Sequence, residues 1–219
     1  MNLKARVIVT GFAIAGICLG FGGFGAGLWF PRFAGLNRRL TELNREWSGI
    51  GSFRYSPPLL TIGGHGAGEI AGITLGGWGD ATVRQEQADS LGSTMAALFG
   101  GFEAGYPYSP VEPFWVRPLL DVDLGVWFVD AHSLEDGGSN FYRWFLGWQM
   151  GLTPAVEIMG RIRTSPDSYM GLFVKTGYTL PFMETQWSGS AGRPDFQMKG
   201  LNIRLGLRFG RTVIRPFRV

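Results

Sequence analysis

The sequence has little charge and almost no cysteine. Asp, Glu, Lys and Arg make up 17% of its 219 residues, against ~25% in an ordinary soluble domain. One cysteine, Cys18, and two histidines, His65 and His132, are present. A lone cysteine excludes a disulfide framework and a cysteine-built zinc centre. No group of His, Cys and carboxylate residues has metal-ligand spacing, so neither a metal nor a cofactor is expected. The net charge of +3 is too small and too scattered for the concentrated basic face of a nucleic-acid binder. Proline is ordinary at 12 residues and no triplet period exists, so the 35 glycines are not those of collagen.

What is abundant points elsewhere. Hydrophobic residues reach 45% and aromatics 14%, which excludes a chain too polar to fold. The length suits a single core or barrel. Low charge, many rings and much glycine together fit a membrane environment.

At the N-terminus, Lys4 and Arg6 precede an uncharged run from Val7 to Phe30. Its "VIVTGFAIAGICLG" has the length and polarity of a signal-peptide core. The whole run is also long enough to span a bilayer as a helix, and its later part, from about Ile17, can form a first strand. Residues 1–20 are therefore read as a signal-like or membrane-anchoring apolar segment, and 21–219 as one glycine-rich barrel domain.

Four similar heptads follow: "FGGFGAG" (Phe21 to Gly27), "IGGHGAG" (Ile62 to Gly68), "LGGWGDA" (Leu75 to Ala81) and "FGGFEAG" (Phe99 to Gly105). None leads into a helix or a Gly-Lys-Ser/Thr, as a phosphate-cradling loop requires. The pairs Gly22 and Gly23, Gly63 and Gly64, Gly76 and Gly77, and Gly100 and Gly101 read instead as strand-bending sites. There neighbouring backbones approach closely, and an adjacent ring covers the bare backbone of the next strand. His65 takes the ring position of its copy. His132 lies in a polar segment with no triad spacing, so no catalytic residue is assigned and the chain is read as non-enzymatic.

"LNRRLTELNREW" (Leu36 to Trp47) places Leu36, Leu40, Leu43 and Trp47 on one helical stripe, predicting a short amphipathic helix at about 36–47. After Pro58 the period becomes two. "LLDVDLGVWF" sets Leu120, Val122, Leu124, Val126 and Phe128 against Asp121, Asp123, Gly125 and Trp127. "RWFLGWQMGL", "VEIMGRIR", "YMGLFVKTGYTL" and "GLNIRLGLRF" repeat the alternation. Each is near the 9–11 residues with which a tilted strand crosses a bilayer. Turns and polar loops separate the segments, predicting an all-β, antiparallel up-and-down barrel of about 8–10 strands.

The polar face is too thinly charged to coat a protein in water, so it is assigned to the interior. Asp121, Asp123 and Glu157 are expected there with Arg143, Arg161, Arg163, Lys175, Arg204 and Arg208. These three acids and six bases would make a cationic lumen, with Arg161, Arg163, Arg204 and Arg208 selecting a small anionic solute.

The closing segments "YMGLFVKTGYTL" and "GLNIRLGLRFG" resemble the last strands of small bacterial outer-membrane β-barrel proteins. The resemblance runs from about Trp115 to Phe217 and departs from the pattern in the tail "RTVIRPFRV", which ends at Val219. It implies an outer-membrane or envelope location with membrane lipid as partner. The expected function is structural, or passage or binding of a small anionic solute. The competing reading is a self-assembling surface or filament protein, in which the apolar strand faces meet other copies of the chain. A soluble barrel holding a lipid-like ligand ranks third.

Overall fold

In a strand, successive side chains point to opposite faces, and the alternation noted above becomes the inside and outside of a closed wall. The computed structural model describes residues 20–47, 52–70, 72–88, 91–133, 141–165 and 168–211. The signal-like segment expected over residues 1–20 lies outside them except for Gly20, as does the tail with Phe217 and Val219.

The elements are β1 (Phe21–Pro31), α1 (Ala34–Trp47), β2 (Leu59–Ile70), β3 (Ile73–Ala88), β4 (Leu91–Gly105), β5 (Tyr108–Val111), β6 (Phe114–Ser133), β7 (Tyr142–Ser165), β8 (Ser168–Pro181), β9 (Gln186–Gly189) and β10 (Gly200–Arg211). Eight of the ten strands form an antiparallel meander, β1-β2-β3-β4-β6-β7-β8-β10. It closes where β10 returns to β1, with Phe21 opposite Gly210 and Pro31 opposite Gly200. The short β5 and β9 extend the wall beside β6 and β7. At one end, here the turn end, lie the two-residue connections after β2 and β7 and the β5 excursion. At the other, the helix end, lie α1, the tight β3–β4 connection, and the longer connections after β6 and β8.

On β6 the outward row is Leu120, Val122, Leu124, Val126 and Phe128, and the inward row Arg117, Leu119, Asp121, Asp123, Gly125 and Trp127. β7, β8 and β10 alternate in the same sense. Aromatic residues mark both edges of the outer surface, with Phe24 and Phe209 in contact (6.2 Å) toward the turn end and Phe128 stacked on Trp144 (6.4 Å) toward the helix end.

The helix end is stoppered. Leu36, Leu40 and Leu43 of α1 are fully buried, and Trp47 is packed against the same cluster, as the helical stripe predicted. This cluster joins Phe33, Phe53, Tyr55, Phe196 and Met198 from the connections to Trp29, Met95, Trp127 and Phe145 from the wall. Asn37 holds the helix in place by accepting from the Tyr55 amide (2.9 Å) and donating to its carbonyl (2.8 Å). The buried Tyr55 hydroxyl donates to the Ser93 carbonyl (3.0 Å), and burial holds this phenol above its usual pKa.

The glycine pairs divide by face. Gly23, Gly63, Gly76 and Gly101 point inward, and each is opposite a charged residue: Arg208, Asp80, Glu103 and Asp123 respectively. Gly22, Gly64, Gly77 and Gly100 point outward, opposite Phe209, Phe24, Phe102 and Leu124. All four rings of the heptads thus meet a glycine across the strand, Phe24 and Phe102 outside, His65 (opposite Gly23) and Trp78 (opposite Gly101) inside. A Cβ at Gly23 or Gly101 would collide with the carbonyl oxygen of Leu207 or Val122, whereas one at Gly22 would sit 3.6 Å from its nearest neighbour.

Two kinds of substitution should therefore separate in urea titrations of the refolded barrel in detergent. Gly23→Ala and Gly101→Ala are expected to lose about 1–3 kcal/mol through overpacking. Gly22→Ala is expected to stay within about 0.5 kcal/mol of the parent. Equal effects at inner and outer glycines would show that strand curvature, not interior space, is what these residues provide.

Candidate functional site: the charged interior

Below the aromatic stopper the inward rows of the wall strands converge on one polar layer. Glu103 comes from β4, Arg117, Asp121 and Asp123 from β6, Glu157 from β7, Lys175 from β8, and Arg208 from β10; all are 2–4% exposed. Asp80 of β3 and Arg204 of β10 join them, with side chains 8% and 12% exposed. Partners of opposite charge or hydrogen-bond donors make such burial tolerable, since an isolated ion in this environment is too costly to keep.

The pairing runs from strand to strand. Arg208 grips Glu157 with both terminal nitrogens (2.6 and 2.7 Å), while its Nε donates to Nε2 of His65 (3.0 Å). Arg117 donates to Glu157 (3.1 Å) and to Glu103 (2.8 Å). Lys175 donates to Glu103 (3.0 Å) and pairs with Asp121 (2.7 Å). Arg204 is bound to Asp80 and lies over the Trp78 ring at 4.7 Å. Asp123 accepts from Thr153, whose hydroxyl also bonds Thr179 (2.8 Å). Toward the turn end a smaller apolar cluster of Met159, Tyr169 and Phe173 packs beneath the layer.

Six of the nine residues assigned to the interior from sequence are in this layer: Asp121, Asp123, Glu157, Lys175, Arg204 and Arg208. Three are elsewhere. Arg143 is exposed at the start of β7, donating to the Tyr142 carbonyl (3.1 Å), with its guanidinium 5.2 Å from the Phe141 ring. Arg163 is exposed near the opposite end of the same strand. Arg161 is half-buried at the turn end, stacked on Trp115 at 3.7 Å. The reason is length: β7 has 24 residues, more than a crossing needs, so its ends project past the layer although their parity is inward.

Three other charged residues, Asp80, Glu103 and Arg117, together with His65, complete the layer. It therefore holds five carboxylates (Asp80, Glu103, Asp121, Asp123, Glu157) and four cations (Arg117, Lys175, Arg204, Arg208). The expected cationic excess is absent from it. His132, by contrast, pairs with Asp130 (2.9 Å) near the helix end of β6.

No family model matches the chain, and no curated protein matches it. Among solved structures it is similar to Neisserial surface protein A, at 11% identity over 88% of this chain and 97% of that one, with a TM-score of 0.42. It is also similar to Ail, the attachment invasion locus protein of Yersinia pestis, at 12% identity over 88% and 99% (TM-score 0.44). A third is a major outer membrane protein from Thermus thermophilus, at 12% identity over 88% and 98% (TM-score 0.49).

Chemically, the layer is a network of ion pairs linking Asp121, Lys175, Glu103, Arg117, Glu157 and Arg208, with the Arg204–Asp80 pair and Asp123 beside it. Among the described residues no three His, Cys, Asp or Glu side chains are grouped to hold a metal ion. Glu157 is the member on which two arginines depend. Glu157→Ala, leaving Arg208 and Arg117 short of a counter-ion, is expected to destabilise the barrel by about 3–5 kcal/mol, read as a lower unfolding midpoint in urea. Glu157→Gln is expected to fall between the parent and the alanine variant. An alanine variant as stable as the parent would mean that water reaches the layer.

Proposed function

We propose that this chain is a non-enzymatic β-barrel of the outer membrane, closed to solute flow, that serves the envelope as a structural, surface-displaying element. The observation that carries the reading is the outer surface. Among the described side chains, the outward positions of the eight wall strands include a single charged group, Asp130, near the helix end of β6. Large apolar residues dominate the rest, including Phe102 (78% exposed), Ile162 (65%) and Leu60 (60%). Water-soluble proteins rarely expose a continuous apolar surface of this kind. With aromatic residues at both edges, it suits a band of hydrocarbon ~25 Å tall.

The inside supports a structural role over passage. The aromatic stopper and the ion network fill the lumen in series, and the network's acids outnumber its bases, which gives an anionic solute no preferred path. The arrangement of the connections suits an orientation in which α1 and the longer loops lie outside the cell and the short turns in the periplasm.

Extracted from membranes in mild detergent, the protein is expected to run faster on SDS gels unboiled than boiled, and to give no conductance steps in planar bilayers. Anion-selective steps that weaken in Arg204→Ala and Arg208→Ala would replace this reading by solute passage. Large particles that persist without detergent would replace it by self-assembly through the apolar strand faces.

A further inference from the structure

Between the ion network and the aromatic stopper lies a cavity of about 50 Å³, several times the ~10–15 Å³ that one water needs. Asp80, Asp121 and Asp123 all line it, as do Thr61, Thr153 and Asn202. Each aspartate uses Oδ2 for its partner: Arg204 for Asp80, Lys175 for Asp121, and the Thr153 hydroxyl for Asp123. Each leaves Oδ1 buried without a hydrogen-bond partner. Asp121 and Asp123 are 2% and 3% exposed, so bulk water does not satisfy these oxygens. Among the described residues Asp123 forms no ion pair, and the layer around it has one carboxylate more than it has cations.

We propose that this cavity binds one small monovalent cation of the sodium or potassium class, held by Asp121 and Asp123 with water completing its shell. The carboxylates of Asp121 and Asp123 offer oxygen ligands, which suit a hard cation, and Lys175 and Arg204 line the same cavity. The charge shortfall is one, which a single monovalent ion cancels and a divalent ion would overshoot beside Lys175 and Arg204. The absence, among the described residues, of three acidic or histidine groups close enough to hold a metal also disfavours a directly ligated divalent ion. Magnesium in particular demands near-ideal octahedral geometry at ~2.1 Å. The site lies inside the wall and does not depend on whether the barrel conducts.

The test is the temperature at which the detergent-solubilised barrel loses its fast-running band, at fixed pH and ionic strength, as sodium or potassium replaces N-methylglucamine. The parent is expected to show a saturable rise of several degrees. Asp123→Asn is expected to lose that dependence and to match or exceed the parent measured without small cations, because the amide removes the charge the ion would neutralise. An Asp123→Asn barrel that keeps the dependence overturns the assignment of the site. A parent indifferent to both ions overturns the proposal outright, means that a proton or water satisfies the carboxylates, and decides the matter even if the variant fails to assemble.

Discussion

Charge inside a narrow protein wall must be matched by charge, and the rest of this molecule is arranged around that requirement. The outer surface takes the large apolar side chains, so the acids and bases of the wall strands are turned toward a common axis. There they can be tolerated only as a network. Several links join strands that are not neighbours in the wall: Arg208 of β10 to Glu157 of β7, Lys175 of β8 to Glu103 of β4, and Lys175 to Asp121 of β6. The same contacts that neutralise the ions therefore fix the strands' mutual placement across the lumen, where backbone pairing acts only between neighbours.

Space for these long side chains comes from glycine. An inward glycine opposite Arg208, Asp80, Glu103 or Asp123 leaves room that any other residue would occupy. The outward glycine of each pair stands opposite a large apolar residue on the adjoining strand. One dipeptide thus relieves crowding inside and faces a ring or leucine across the strand outside.

The later strands were legible because large apolar residues alternate there without interruption, from Leu120 to Phe128 and from Leu201 to Phe209, so their faces follow directly from the sequence. The α1 stripe was legible for the same reason, at the helical period. Harder to see were Glu103 and Asp80, which sit inside glycine heptads whose alternation is blurred by residues without side chains. Arg117 precedes the uninterrupted alternation, which begins at Leu119 although β6 itself starts at Phe114. His65 was read as a stand-in for a ring, and it does face a glycine, but it also accepts from Arg208. Arg143 and Arg163 had the right parity and the wrong height. Parity is a local property of the chain, whereas the height of the layer is set by where all eight strands overlap, and that is not written in any one of them.

The seam between β1 and β10 has a bearing on how the molecule is made. Phe21 meets Gly210, so the first strand waits for nearly the whole chain before its second edge is covered, and contacts this distant in sequence are the slow ones to form. Until then Arg208 and Glu157 have no shared interior to meet in, and the future lumen is an open, charged face beside an equally open apolar one. Such an intermediate can enter neither water nor lipid whole. Assembly of this chain is therefore a problem of timing, in which wall closure, ion pairing and burial of the outer surface must occur as nearly one event.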